Sequence, residues 1–298
     1  MTKSLPQGEL TVARMCALAA LNRAGYYRHW RASAPREEAM DVRDAIQRIA
    51  LKNRHYGYRR ITRQLAREGR AVNHKRVLRL MRQDNLLCLR KRSFVPTTTD
   101  AKHGWRVVPN VARGMEPGGV DQLWVADITY VRMREEFAYL AIVLDAFSRR
   151  VVGWALETHM QASLAIGALK MALKGRQPPP FSLVHHSDRG VQYACADYTR
   201  VLDEHRIVAS MSRPANPYDN AKAESFMRTL KQEEVDGSDY RDSQHARKAI
   251  GQFLEIVYNR QRLHSALDYR PPAEFEADLP PLCPAAQQRT TSVETTCP

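Results

Sequence analysis

The spacing of apolar residues predicts helices in the first part of the chain. Between residues 41 and 87, apolar positions recur every three or four residues, which is the period of an amphipathic helix packed on a core. Gly69 ends the second of these stripes, and Asn73 stands where the N-cap of a third helix belongs. The apolar positions of the three predicted helices are Ile46, Ile49 and Ala50, then Ile61 and Leu65, then Val77, Leu80 and Met81.

Two of these helices, joined by a short turn with a glycine, match the helix-turn-helix pattern. In that arrangement the second helix enters the major groove of DNA, and basic residues of the first helix reach phosphates. The alternative is a plain solvated face, because helices rich in arginine are common on protein surfaces. Candidate groove residues are His74, Lys75, Arg76, Arg79 and Arg82, and candidate phosphate contacts are Arg59, Arg60 and Arg63.

The pattern changes after residue 120, where strand signals replace helical ones. Segments 125–131, 137–144 and 151–156 are rich in β-branched and aromatic residues, and their close spacing favours an antiparallel meander. Three antiparallel strands followed by alternating helices and strands predict an α/β sheet with helices on its faces. The later predicted helices are 162–173, 194–206, 217–232 and 243–260, and the later strands are 182–186 and 207–211.

Between these two patterned parts, glycine and proline accumulate and the periodicity fails, which indicates a linker. Proline, glutamine, threonine and serine dominate after about Phe275, so we expect the end of the chain to be disordered. The predicted organisation is a helical segment at 1–40, a helix-turn-helix domain at 41–88, a linker at 89–120, an α/β core at 121–275 and a tail at 276–298.

Composition excludes several classes of protein. With 44% hydrophobic and 26% charged residues among 298, the chain resembles a folded globular protein rather than a disordered or collagen-like one. No apolar run approaches the roughly 18 to 20 residues of a membrane helix, and no signal peptide is recognisable, so we expect a cytoplasmic protein without a membrane partner. The five cysteines form no CxxC pair and are interpreted as reduced.

Charge is distributed unevenly between the two patterned parts. The net charge of the chain is +14, and residues 1–120 hold 25 Lys and Arg against 9 Asp and Glu, whereas residues 121–298 hold 21 against 23. Lys and Arg that neutralise phosphates supply most non-specific affinity for nucleic acid. The uneven charge therefore indicates a nucleic-acid-binding domain attached to a near-neutral domain. The alternative is a charged surface that only keeps the protein soluble.

Three carboxylates are the candidate chemistry. Asp127 interrupts an apolar strand, where an isolated carboxylate is costly unless it is paired or binds a metal. Asp188 follows a buried strand, at an end where sites of α/β proteins gather. Glu224 lies on a predicted helix whose signals are Asn216 as N-cap, Pro217 at the first position and Asp219 as a capping-box acid. Lys231 follows Glu224 by seven residues, on the same helix face.

Carboxylate oxygens from two strands and a helix could converge on a pair of Mg²⁺ ions, which prefer hard oxygen ligands and catalyse in-line phosphoryl displacement. Taken singly, each acid also has an ordinary interpretation as a turn residue, a solvated residue or an ion-pair partner. His185 and His186, beside the second aspartate, are interpreted as satisfied core residues rather than bases. Asp145, at the end of the second strand, is interpreted as structural.

The motifs around the three acids resemble those of the DDE transposase and integrase superfamily. They are WVADITY at 124–130, HSDRGVQY at 186–193 and SRPANPYDNAKAESFMRTLK at 212–231. Sixty residues separate Asp127 from Asp188 and 35 separate Asp188 from Glu224, as in retroviral integrases and the insertion-sequence transposases of family three. Residues 55–87 resemble the helix-turn-helix of the second-frame (OrfB) product of that family, and residues 258–275 its closing motif.

The resemblance implies an α/β, ribonuclease H-like catalytic core, with a mixed five-stranded sheet and flanking helices, preceded by an all-α helix-turn-helix domain. It implies a metal-dependent DNA transposase that cleaves element ends and transfers the 3′ hydroxyl to target DNA. Asp127, Asp188 and Glu224 would be catalytic ligands of two Mg²⁺ ions, for which Mn²⁺ would substitute. Lys231 would contact element-end DNA, and Asn220 would position DNA or metal-bound water, unless it is an ordinary helix-surface residue.

The resemblance also implies partners. They are terminal-repeat and target DNA, other copies of this chain on that DNA, and an upstream first-frame protein joined by frameshifting, with a location at the bacterial nucleoid. A DNA-binding regulator that does not cut is the competing hypothesis, and the intact acid triad argues against it. A nuclease for RNA–DNA hybrids is a third hypothesis, which leaves the helix-turn-helix unexplained.

Overall fold

A computed structural model describes residues 11–20, 22–24, 27, 37–88, 108–213 and 217–280. The chain divides into two compact units, Met1–Cys88 and Leu89–Pro298. The predictions for residues 1–10, 89–107 and 281–298, and for Asn216 as a helix cap, lie outside the described residues. No helix within the described ranges is long and apolar enough to cross a bilayer.

The first unit contains four described helices, and its apolar stripes are buried as predicted. Helix α1 is Val12–Leu18, α2 is Glu37–Lys52, α3 is Tyr58–Arg67 and α4 is His74–Gln83. Helix α2 begins four residues before the predicted boundary at residue 41. The fully or almost fully buried side chains of α2 to α4 are Ile46, Ile49, Ile61, Leu65, Val77, Leu80 and Met81.

Caps and ion pairs fix the ends of these helices. The predicted cap is confirmed, since the Asn73 side chain accepts a hydrogen bond from the Lys75 N–H at 2.8 Å. Gly69 has a φ of +79°, the left-handed conformation that glycine adopts most readily. Arg48 of α2 pairs with Glu68, the C-cap of α3. The start of α4 is thus capped by its own Asn73, and the end of α3 is tied to α2 by Arg48.

The second unit is built on a five-stranded mixed sheet. The strands are β1 Leu123–Arg132, β2 Phe137–Asp145, β3 Val151–Glu157, β4 Val184–Ser187 and β5 Val208–Met211. Their order is β3-β2-β1-β4-β5. The first three strands pair antiparallel, as the close spacing of their segments predicts, and β4 and β5 run parallel to β1. The predicted mixed five-stranded sheet is confirmed.

Helices cover both faces of the sheet and divide its core into two layers. One layer joins Leu123 and Val125 of β1 to the helices that follow β5, and the other joins Trp124 and Ala126 to the helices between β3 and β5. Alternate residues of one strand thus enter opposite layers. The helices are α5 Ala162–Gly175, α6 Val191–Ala194, α7 Ala196–Glu204, α8 Ala221–Leu230, α9 Ser243–Gln252 and α10 Pro272–Ala277.

Three predicted helices have internal breaks. The predicted helix 194–206 is interrupted at Cys195, which ends α6 and caps α7. The predicted helix 217–232 begins as a 3-10 turn, Pro217–Asn220, continues as α8 and ends in a π-helical turn, Lys231–Val235. Likewise α9 continues into π-helix Phe253–Gln261. Apolar periodicity finds these helices but does not distinguish α from π geometry.

The predicted edges of the core also require correction. Residues 108–120 are packed on the second unit rather than forming a free linker, because Ala112 and Met115 join the layer under α8. The N–H groups of Val111 and Ala112 both donate to Ser210 Oγ, at 3.1 and 3.2 Å. At the other end, α10 carries ordered structure two residues past Phe275. The sequence did not predict this order, because both segments have the composition of loops and pack on parts of the chain that are distant in sequence.

Candidate active site and nucleic-acid interface

Asp127 and Asp188 lie side by side because of the register of two parallel strands. Val125 of β1 pairs with His186 of β4, so the residues two positions further along each chain are Asp127 and Asp188. Leu123 and Val125 belong to the layer under α8, and alternation directs Asp127 to that same face. Val184 packs against the same layer, so alternation directs Asp188 there as well.

Helix α8 brings Glu224 over this face. Ala223, Phe226 and Leu230 of α8 are buried against the sheet, while Glu224 is exposed in the first turn. Asn220, the N-cap of α8, is buried, and its Nδ2 donates to the carbonyl of Ala126 at 3.0 Å. That bond joins the start of the Glu224 helix to β1 one residue before Asp127.

Asp188, Glu224 and Lys231 all act electrostatically on Asp127. Burial, the charge of Asp188 and, to a smaller extent, the charge of Glu224 raise the pKa of Asp127 to about 7. The Ile128 N–H, which donates to Asp127 Oδ1 at 2.8 Å, and the charge of Lys231 act in the opposite direction. The site therefore crowds negative charge that its own cation only partly offsets.

Lys231 is held against the strand that bears Asp127. Its Nζ lies 4.4 Å from the centroid of the Tyr130 ring, which is within the range of a cation–π contact. Tyr130 is three residues after Asp127 on β1. The Tyr130 contact was not predicted from the sequence, since a cross-element pair leaves no local signal, although both residues lie within the quoted motifs.

The donor set suits a hard divalent cation. It comprises the carboxylates of Asp127, Asp188 and Glu224. The start of α8 adds the Asn220 Oδ1, a buried acceptor that has no hydrogen-bond partner among the described residues. Amide and carboxylate oxygens are the ligands that Mg²⁺ takes from proteins. Among the described residues, no three His, Cys, Asp or Glu side chains are grouped as a metal cluster.

A polar network surrounds the described residues that follow β5 and precede α8. The buried His186 ring lies 2.9 Å from Ser210 Oγ and 3.0 Å from Ser212 Oγ, and Arg189 Nε donates to the Ser212 carbonyl at 2.7 Å. Asp219 accepts from the backbone and side chain of Arg213 rather than serving as a plain capping acid. Arg213 accordingly lowers the pKa of Asp219 well below its usual range.

The structural interpretations of the nearby titratable residues agree with their contacts. His185 is buried with its Nε2 3.0 Å from the Tyr198 hydroxyl, and burial lowers its pKa to about 3. Asp145 is completely buried and accepts from the N–H groups of Asp121, Phe147 and Ser148. Neither side chain is needed to explain the carboxylate site.

The candidate DNA-contacting residues of the first unit line the outside of α3 and α4. Lys75, Arg79 and Arg82 are exposed and Arg76 is half-buried, on the opposite side of α4 from its buried stripe. In α3, Arg59 is exposed beside the Tyr58 ring and Arg60 lies over Tyr56. Asn220 differs from them, since it is buried and its amide nitrogen is already bonded to Ala126.

Comparison with known families matches both units. An HTH-like domain model matches residues 35–94, and two models described as integrase core domain match residues 118–217 and 205–272. The chain is 37% identical over 268 residues to a 31 kDa protein of insertion element IS600 from Shigella sonnei, covering 88% of this chain and 97% of that protein. It is 35% identical over 277 residues to the transposase InsF of insertion sequence IS3A from Escherichia coli, covering 91% and 95%.

The chain belongs to the IS3-family transposases. The family resemblance inferred from the three motifs is thereby confirmed, and so is the fold with an HTH-like domain before an integrase core. Among solved structures, this IS3-family chain is similar to one from a simian T-cell lymphotropic virus intasome complex, at 15% identity and a TM-score of 0.46. The similarity covers 85% of this chain and 80% of that chain. As an integrase-core protein it falls in a metal-dependent class of polynucleotidyl transferases that act on DNA.

Proposed function

We propose that this protein is a DDE transposase in which Asp127, Asp188 and Glu224 hold two Mg²⁺ ions, with Mn²⁺ able to replace them. The observation that carries the proposal is the meeting of the two aspartates on one sheet face under the helix of Glu224, with charge crowding that raises the pKa of Asp127 to about 7. Bound divalent ions would activate an attacking oxygen and stabilise a leaving oxygen.

The chain's own residues would prepare the phosphodiester for two exchanges. In the first, a water oxygen bonds to phosphorus at the element end, and the bond to the 3′ oxygen breaks as that oxygen takes a proton. In the second, the freed 3′ hydroxyl loses its proton as its oxygen bonds to a target phosphorus, and the bond to the target's 3′ oxygen breaks as that oxygen takes up a proton. Lys231, beside Asp127, would bind the phosphate backbone of the element end, since an ammonium is a point-charge partner for phosphate.

The first unit would bind the DNA. Arg59, Arg60 and the basic residues of α4 would contact backbone and groove, as helix-turn-helix domains do. Asn220 would turn its unpartnered Oδ1 toward metal-bound water rather than contact DNA directly, because its side chain is buried. We also propose that copies of the chain assemble on paired ends and that the upstream first-frame protein assists, in a cytoplasmic location at the nucleoid.

Strand cleavage tests this proposal. A labelled duplex carrying the element end would be incubated with Mg²⁺ or Mn²⁺ and the chain, alone and fused to the upstream frame. We expect nicks at the repeat boundary that Asp188→Asn abolishes, whereas Asp197→Asn, which alters an exposed acid paired with Arg200, keeps them. Binding without nicking in every form, including the fusion, would instead identify a DNA-binding regulator.

A further inference from the structure

An aromatic step, formed by Tyr130 and Phe137, lies at the turn end of the β1–β2 hairpin. The rings of Tyr130 and Phe137 meet at a centroid distance of 6.0 Å and an angle of 72°. Phe137, the first residue of β2, has 50% of its surface exposed. The exposed Phe137 ring offers a large, rigid apolar surface to a partner.

The sheet register shows that this step belongs to a larger face. Tyr130 pairs with Tyr139 and Arg132 pairs with Phe137 across the hairpin, so the four side chains lie on the same side of the two strands. Tyr130 and Tyr139 are half-buried, and Arg132 is exposed. Aromatic rings interleaved with a basic side chain are the combination on which unpaired nucleic-acid bases stack.

Lys231 connects the step to the proposed site, although alternation along β1 places Tyr130 and Asp127 on opposite faces of the sheet. Lys231 lies over Tyr130 at 4.4 Å and also acts electrostatically on Asp127. Since Lys231 takes one side of the Tyr130 ring, Phe137 is the ring that offers free area. The hairpin turn carries exposed Glu135 and Glu136, which do not suit a track for duplex phosphates. The face therefore offers stacking area for a base, with one cation for the phosphate attached to it.

We propose that Phe137, supported by Tyr130, is a stacking site for an unpaired nucleobase of the DNA strand whose phosphate Lys231 would bind. The proposal rests on the function proposed above, because only that function brings a DNA end to Lys231. It adds a contact to a base, whereas the carboxylates and Lys231 act on phosphate.

Binding of two DNA probes to the full chain tests the site without requiring cleavage. One probe is a blunt duplex, and the other is the same duplex with a short unpaired 3′ extension containing 2-aminopurine, both without divalent ions. We expect Phe137→Ala to weaken binding of the extended probe by about tenfold, to relieve the quenching of 2-aminopurine, and to leave the blunt duplex unchanged. Phe137→Trp keeps a ring and is expected to keep both signals.

Phe181→Ala is the matched control. Phe181 is 71% exposed in the same unit, just before β4 and so at the opposite end of that strand from Asp188. Equal effects of Phe137→Ala and Phe181→Ala, or an equal loss on both probes, would overturn the stacking site. A change of oligomeric state on sedimentation, with probe binding unaltered, would also overturn it and assign the face to contacts between copies. If the wild-type protein gave these binding results but did not cleave DNA, only the proposed chemistry would be overturned.

Discussion

At the residue scale, Asp127 is a carboxylate that we expect to lower the stability of the protein when no cation is bound. Its pKa is raised by burial, by Asp188 and by Glu224, and a raised carboxylate pKa means that the ionised form is disfavoured in the folded state. A cluster of this kind is tolerated where it serves binding or catalysis. Removing one charge should therefore stabilise the fold and remove its response to metal.

Asp127→Asn is the variant that separates these effects. Without divalent ions at neutral pH or above, we expect its free energy of unfolding to exceed that of wild type by ~1–3 kcal/mol and its melting temperature to be a few degrees higher. The reason is that the amide is neutral and still accepts the Ile128 N–H. Added Mg²⁺ should raise the melting temperature of wild type and not that of the variant. Calorimetry measures both, with Asp197→Asn as the control. A variant less stable than wild type would show that Asp127 is mainly structural.

At the scale of elements, the N-cap of α4 decides how firmly the basic helix is held. The Asn73 side chain binds the Lys75 N–H, one of the donors that the first turn leaves unsatisfied. Replacing Asn73 by Ala should cost about 1 kcal/mol of stability in the first unit. Thermal unfolding followed by circular dichroism measures the loss, and Asn73→Ser should largely restore stability. No difference between Ala and Ser would mean that the cap does not limit the helix.

The closing motif, residues 258–275, packs against the C-terminal end of the helix that bears Glu224. Arg262 Nε and Nη2 donate to the two carboxylate oxygens of Glu233 at 2.9 and 2.8 Å, and both side chains are nearly buried. Glu233 is two residues after Lys231, in the π-helical turn that ends this helix. Tyr258 adds a ring contact with Phe226 of α8 at 4.9 Å.

Glu233→Gln should destabilise the second unit strongly, by ~3–5 kcal/mol, because it removes the carboxylate that the buried Arg262 guanidinium binds. The double substitution Glu233→Met with Arg262→Met should recover much of that loss, since it leaves no buried charge uncompensated. Urea unfolding measures both changes. If the double variant were no better than the single one, packing rather than charge would account for this contact.

At the scale of the whole molecule, repeating patterns were predictable and contacts between distant elements were not. The stripe of Ile61 and Leu65 and the alternation of β1 follow from local periods, so helices and strands were found. The spacing of Asp127, Asp188 and Glu224 can also be recognised from the sequence alone. The packing of Met115, the pairing of Asp219 with Arg213 and the Lys231–Tyr130 contact depend on chain segments that meet only in the folded protein.

The unequal charge of the chain leads to a division of labour that can be tested. The basic surplus lies in residues 1–120, and α4 carries three exposed basic side chains whose replacement should not disturb the apolar stripe behind them. Lys75→Gln, Arg79→Gln and Arg82→Gln together should weaken DNA binding, and the slope of log affinity against log salt should fall by about 0.9 for each phosphate that the variant no longer neutralises. Cleavage at saturating DNA should persist.

Asp188→Asn should give the reverse result, with near-normal binding, an unchanged salt slope and no cleavage, since it alters the carboxylate site and none of the basic residues. Fluorescence anisotropy at several salt concentrations and a nicking assay on the same protein preparations measure the two properties. If the triple variant kept its salt slope, the phosphate contacts would have to come from outside α4. If Asp188→Asn lost binding, the carboxylate site would contribute to holding DNA, and the two activities would not be separable along the chain.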